Sequence, residues 1–146
     1  MTIWHHPNLT IDTLNQRGQN TLVSYLDIKF TDIGDNYLVA SMPVDDRTKQ
    51  PIGILHGGAN VVLAETIAST AANAVIDIKT HYCVGLEINA NHIRSVRSGL
   101  VFGHCSPYHL GRSTQVWHIE IKDEEGRLTC ISRMTATVLQ RVTTDR

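Results

Sequence analysis

Between Gln50 and Ile76 the chain runs for 27 residues with a single charged side chain, Glu65, where its average charge density would place about five. A lone carboxylate in so polar-neutral a stretch is costly to strip of water unless a hydrogen-bond partner or a proton compensates, and such groups belong to acid–base and nucleophilic chemistry. Ser69 stands four residues on, one helical turn away. Its hydroxyl can bond the carboxylate or hold a water beside it. Just upstream, His56-Gly57-Gly58 falls where a helix should begin. The first N–H groups of a helix have no partner within it and carry the positive end of its dipole. Glycine lets a ligand come close to that backbone, and a carbonyl oxygen placed there is stabilised as it becomes an oxyanion, which lowers the barrier to acyl transfer more than any other single effect. The spacing sets a problem, however. Glu65 is eight residues past Gly57, about 12 Å along a helix axis, and a glutamate side chain cannot cover that span even though helical side chains lean toward the N-terminus. A site made from two chains, one giving the Gly57 N–H and the other Glu65, removes the difficulty.

The elements that must hold these groups follow from hydrophobic period. Residues 57–76 are Ala-rich and proline-free, which reads as a helix. At 100° per residue Leu63, Ala64, Ile67, Ala68, Ala71, Ala72, Ala74 and Val75 share one half of its surface, and Glu65, Thr66, Ser69, Thr70 and Asn73 the other. Exposed helix faces usually carry several Lys, Arg or Glu, so this stripe of short polar groups reads as a half-buried pocket. Residues 1–23 predict a short helical segment that acts as a lid or edge. Tyr25–Thr31 and Tyr37–Val44 alternate as a β-hairpin around Asp32–Asn36. Four more alternating segments, Tyr82–Ile93, Leu100–Ser106, Gln115–Lys122 and Leu128–Gln140, are separated by turn residues at Arg97–Gly99, Pro107–Gly111 and Asp123–Gly126. The short connections favour an antiparallel sheet of about six strands against one long helix, an α+β domain spanning 1–146.

Composition narrows the function classes. The 146 residues hold 13 Lys+Arg against 14 Asp+Glu, for a net charge of −1 and no basic run, so phosphate-driven nucleic-acid binding and attachment to an anionic membrane are both disfavoured. No apolar run of roughly 18 residues is available to span a bilayer. The start has no export signal, and three odd, scattered cysteines, Cys83, Cys105 and Cys130, fit reduced thiols in a cytoplasm. Cys105 stands near His104 and His109, but a closed zinc site needs about four ligands and no second pair is apparent, so no metal is expected.

Nearly the whole chain resembles a known family, the hotdog-fold acyl-CoA thioesterases, in particular the branch that hydrolyses aryl-CoA thioesters. The likeness lies in Met42-Pro-Val-Asp45, Arg47-Thr-Lys-Gln-Pro51, Gly53-Ile-Leu-His-Gly-Gly58, Leu63-Ala-Glu65, Val84-Gly-Leu-Glu-Ile-Asn-Ala-Asn-His92 and His109-Leu-Gly111. It is closest to the 1,4-dihydroxy-2-naphthoyl-CoA hydrolases of menaquinone synthesis, with the enterobactin-pathway proofreading thioesterases near. The resemblance implies a long central helix wrapped by a curved antiparallel sheet, dimers with shared active sites, and tetramers built from dimers. It implies Glu65 as nucleophile or general base and the Gly57 N–H as oxyanion donor, with Gln50 and His56 orienting the thioester and Ser69 positioning the carboxylate or water. It also implies substrate and coenzyme A contacts at Gly85, at His92, Ile93, Arg94 and Ser95, and at His109, Leu110, Gly111, Arg112, Ser113 and Thr114. Arg94 and Arg112 suit nucleotide phosphates on chemical grounds too. No cofactor is implied, coenzyme A being part of the acyl-CoA substrate.

Two other readings differ in class. An acyl-thioester dehydratase on the same fold would pair His56 with Glu65 as acid and base, but those enzymes space the pair more widely than the nine residues found here. A non-catalytic acyl-CoA-binding regulator would carry an attached DNA-binding segment, for which this chain has no room. His5 and His6, beside Pro7 at an unprotected end, are expected to do no chemistry.

Overall fold

In the computed structural model, which describes residues 1–142, the longest helix is α3, Gly57–Ala74. Leu63, Ala64, Ile67, Ala68, Ala71, Ala72 and Ala74 are all buried, as their spacing predicts. Six strands wrap around this face: β1 Lys29–Ile33, β2 Leu38–Pro43, β3 His81–His92, β4 Leu100–Leu110, β5 Thr114–Asp123 and β6 Leu128–Gln140. They pair antiparallel in the order β1-β2-β4-β5-β6-β3, so β3 crosses over to form the far edge beside β6. Leu38, Ala40, Met42, Val101, Trp117, Ile119, Ile121 and Met134 point inward and are fully buried. Small helix residues allow the sheet to close tightly, and at Gly103 of β4 a Cβ would lie 2.5 Å from Ile67 Cδ1. The outcome is the α+β hotdog fold. Among the described residues no helix is long and apolar enough to cross a membrane.

Most element ends differ from the sequence reading by a residue or two, and the larger differences have local reasons. The N-terminal segment holds two short helices, α1 Ile11–Arg17 and α2 Leu22–Tyr25, capped by Thr10 and Thr21, the second running past residue 23. The second takes the start of the expected Tyr25–Thr31 strand: Leu26, Ile28 and Phe30 are buried as their alternation requires, yet the Thr21–Ser24 capping box and the positive φ of Asp27 delay the strand to Lys29. Asn15 then ties α1 to β1, its Nδ2 donating to Phe30 O at 3.1 Å and its Oδ1 accepting from Phe30 N–H at 2.8 Å. The Pro107–Gly111 stretch is a turn only at its end. β4 runs on to Leu110 through a bulge at Pro107/His109 that absorbs the missing proline N–H. Finally α3 stops at Ala74, short of Ile76, because the chain must reverse where Asn73 grips β3.

Candidate active site

The two features singled out by residue type sit at different heights on α3. Glu65 is half-buried on the polar side of the helix, and Ser69 Oγ lies 3.2 Å from its Oε1 as donor, with Met134 Sδ at 3.7 Å as an alternative acceptor. β3 crosses on the other side. A Cβ on Gly85 would overlap Oε1 of Glu65, so any larger residue would displace the carboxylate from where it lies, and the β3–β6 register slips just there, between Gly85 and Glu87. Asn73 sets the strand's height. Its Nδ2 donates to Cys83 O at 3.2 Å and its Oδ1 accepts from Cys83 N–H at 2.9 Å, so the side chain pairs with β3 as another strand would. Thr66 and Thr70 give their protons to the Val62 and Thr66 carbonyls, both at 2.7 Å. The stripe is roofed, as its composition predicts: Leu14, Arg17, Val23 and Phe30 close over Thr66, Ser69, Thr70 and Asn73 around a cleft of 470 Å³.

At the other height, His56 caps α3, its Nδ1 accepting from Gly58 N–H at 2.8 Å, while its carbonyl takes the N–H of Ala59 and Asn60. Among the described residues the N–H of Gly57 is left with no acceptor. Because His56 accepts at Nδ1, its neutral ring carries the proton on Nε2. The loop before it is firmly built. Arg47 bonds the Asp45 carboxylate at 2.6 Å and holds it below the usual carboxylate range, against the upward pull of burial, and Thr48 is buried within the turn. Gln50 accepts from Ile52 N–H at 2.6 Å, which leaves its Nε2 free to donate. A cleft of 270 Å³ opens here, lined by Gln50, Leu55, Gly57, Asn60, His92, Ile93, Arg94 and Ser95. The His92 ring hangs over Gly57, where a Cβ would come within 2.7 Å of its Nε2.

The remaining expected contacts, His109 to Thr114, lie apart from this cleft. They form the exposed end of β4, the turn and the start of β5, where Ser113 O accepts from Val138 N–H at 2.9 Å. Thr114 pairs with Thr137, and Thr137 with Val84, so this turn is in register with the Glu65–Gly85 end. The expected residues thus divide in two: Gln50, His56, Gly57, His92, Ile93, Arg94 and Ser95 in one neighbourhood, Glu65, Ser69, Gly85 and the 109–114 turn toward the other. Among the described residues neither Arg94 nor Arg112 is in an ion pair. Since α3 is unbroken from Gly57 to Ala74, the separation of about 12 Å between Gly57 and Glu65 persists in the fold.

Two asparagines add contacts that type and spacing did not foresee: Asn73, placed on the polar stripe by its spacing, grips Cys83, and Asn60, not singled out at all, is buried beside His92. The signal available was a poor helix former placed inside a helix. The thiols play no part in this chemistry. Cys83, Cys105 and Cys130 are buried and unpaired, and burial pushes Cys83 and Cys130 up to about 11 and Cys105 higher still. Near Cys105, His104 stacks on Tyr37 at 4.6 Å, and among the described residues no three His, Cys, Asp or Glu converge as a metal site would require.

Known proteins resemble this chain in sequence and fold. Residues 52–130 match the model of the thioesterase superfamily. A 1,4-dihydroxy-2-naphthoyl-CoA hydrolase from Escherichia coli is 55% identical over 94% of this chain and 99% of its own. A proofreading thioesterase of Cronobacter turicensis is 47% identical over 94% of this chain and 98% of its own. The crystal structure of a Pseudomonas aeruginosa thioesterase superposes with a TM-score of 0.94 at 44% identity, covering 96% of this chain and all of that one. A free helix-terminal N–H and a strand-pressed glutamate, on a fold and sequence this close to enzymes that cut thioesters, place the chain in the thioesterase superfamily as a thioester hydrolase.

Proposed function

We propose that the protein hydrolyses aryl-CoA thioesters, with 1,4-dihydroxy-2-naphthoyl-CoA of menaquinone synthesis as its substrate. The observation that carries this is the free N–H of Gly57 set against a carboxylate held between Ser69 and Gly85; the Escherichia coli relative supplies the acyl group. The thioester oxygen accepts from Gly57 N–H, and the Gln50 amide and His56 Nε2–H orient the group. Glu65 of the partner subunit attacks the carbonyl carbon, or takes the proton of a water that does. Negative charge gathers on the oxygen at the Gly57 N–H, where it is most strongly stabilised. The C–S bond then breaks, and coenzyme A leaves as a thiolate that takes up a proton. Where Glu65 is the nucleophile, water cleaves the resulting anhydride in a second step. Arg94 and Arg112 are free for the nucleotide phosphates, and the cleft under α1 and α2 receives the aromatic ring beside Ser69.

Dimerisation completes the site because the two groups are too far apart on one helix. The edge strand β3 supports it: among the described residues it pairs only with β6, and it exposes Val84 at 42% and Leu86 at 62% on either side of Gly85. Dimers then associate as tetramers. A cytoplasmic setting fits the unpaired thiols.

The second reading is proofreading of aryl-carrier-protein or broader acyl-CoA thioesters, supported by the Cronobacter relative. A thiol-release assay across naphthoyl, benzoyl and fatty acyl-CoAs and an aryl-carrier-protein thioester separates the two. Highest kcat/KM on hydroxynaphthoyl-CoA is the expected result; a preference for the carrier-protein thioester transfers the assignment to proofreading.

A further inference from the structure

We propose that Asn60 is a positioning residue for hydrolysis, acting through His92; this rests on the thioesterase reading above and adds a second donor to it. Asn60 stands one turn into α3, is 4% exposed, and lines the Gly57 cleft. Its Nδ2 lies 3.3 Å from Nδ1 of His92, the last residue of β3. An amide nitrogen has no lone pair to offer and can only donate, so Nδ1 accepts. A neutral imidazole that accepts at Nδ1 carries its proton on Nε2. Nε2 is the atom that hangs over Gly57. His92 Nε2 thus lies against Gly57 in a cleft that both residues line, and on the proposed reading its N–H joins that of Gly57 at the thioester oxygen.

The other half of the Asn60 amide explains why the orientation matters. Oδ1 is buried and has no partner. Turned over, the amide would accept from a proton on Nδ1 and leave Nε2 bare, an acceptor beside Gly57 that would repel a carbonyl oxygen. A buried carbonyl without a donor is rare in native proteins and calls for a reason. Turning the amide would satisfy Oδ1 only if the His92 proton moved to Nδ1, so the orphaned Oδ1 and an Nε2–H on His92 go together in this arrangement. Gln50 and His56 meet the substrate themselves, whereas Asn60 works by fixing which face of His92 is offered.

The test compares Asn60→Leu, similar in size but unable to donate, with the unaltered enzyme on its best aryl-CoA. We expect kcat to fall about tenfold while KM stays within about twofold, since a donor aimed at a developing oxyanion counts most in the transition state. His92→Gln, whose amide N–H can stand in for Nε2–H, restores part of what His92→Ala loses. The deciding measurement is the double variant: Asn60→Leu costs nothing further once His92 is alanine. An equal loss in both backgrounds marks a purely structural role and overturns the proposal. Nitrogen-15 NMR of the unaltered protein decides independently of whether Asn60→Leu folds. His92 must show the Nε2–H tautomer, and the Nδ1–H tautomer overturns the assignment. A wild-type protein that releases no thiol from any aryl-CoA defeats the functional reading instead, while the NMR result still decides Asn60.

Discussion

At the Gly57 end of α3 the group on offer is a main-chain N–H, aligned by a capping histidine and reached through a cleft whose outer wall is the exposed run His92–Ser95. At the Glu65 end it is a carboxylate, pressed between Ser69 and the backbone of β3, with Ser69 itself lining the cleft under the N-terminal helices. The first needs only a helix start and a residue without a Cβ. The second needs a helix, a strand and a lid to agree in height, with Asn73 fixing the strand. On the proposed mechanism the first end positions an electrophile and the second holds a base or nucleophile. The difference fits the proposed two-chain site: each end is finished by its own local contacts within one chain.

The largest effect should come from Glu65→Gln, which keeps the shape and removes the charge. We expect kcat to drop by ~10³ or more with KM changed only a few-fold, because the side chain does chemistry and not binding. Thiol release against substrate concentration checks this, and near-normal turnover would move the reacting group elsewhere.

Gly57→Pro tests the other end. Gly57 is the first helical residue, its N–H bonds nothing in the described chain, and His56 has an extended backbone, so proline removes the N–H with little cost to the helix. A loss of ~10²–10³ in kcat is expected. Gly57→Ala, which crowds His92 equally but keeps the N–H, should lose much less. The two inactive variants then probe the shared site: in a one-to-one mixture of chains, about a quarter of wild-type activity should return if each site draws on two chains, because half the dimers carry one intact site. No recovery after verified chain exchange would place both groups in a single chain.

How much of this was readable beforehand varied with the kind of contact. The core face of α3, its polar stripe, the free N–H at Gly57 and the six strands follow from period, helix ends and residue type, all properties of neighbours in sequence. The start of β1 was misplaced because alternation continues through Leu26, Ile28 and Phe30 while the Thr21 cap bends the chain locally. The β4 end was misplaced because a proline marks a turn or a bulge equally well, and only the β5 partner decides. Asn60, and the contact that Asn73 makes, were hidden for a third reason. Their partners, His92 and Cys83, lie 32 and 10 residues away on a strand whose register the sequence alone leaves open.

Gly85 is where the smallest and sharpest test falls, since it joins the two kinds of contact. Its neighbour Cys83 is fixed to α3 by Asn73, and its other neighbours are laddered to β6, so the strand has little freedom to rise. In Gly85→Ala the added methyl meets Oε1 of Glu65, and the carboxylate is what must move, swinging off the Ser69 hydroxyl. A shift of ~1 Å in a reacting group costs up to about 10²-fold in rate. We therefore expect kcat to fall by about 10–100-fold with little change in thermal stability, because the displaced group is half-buried and remains hydrated. A variant that melts early but turns over normally would show that the strand yields instead. The Glu65 end would then be as adaptable as the Gly57 end, and the contrast between them would lie in exposure alone.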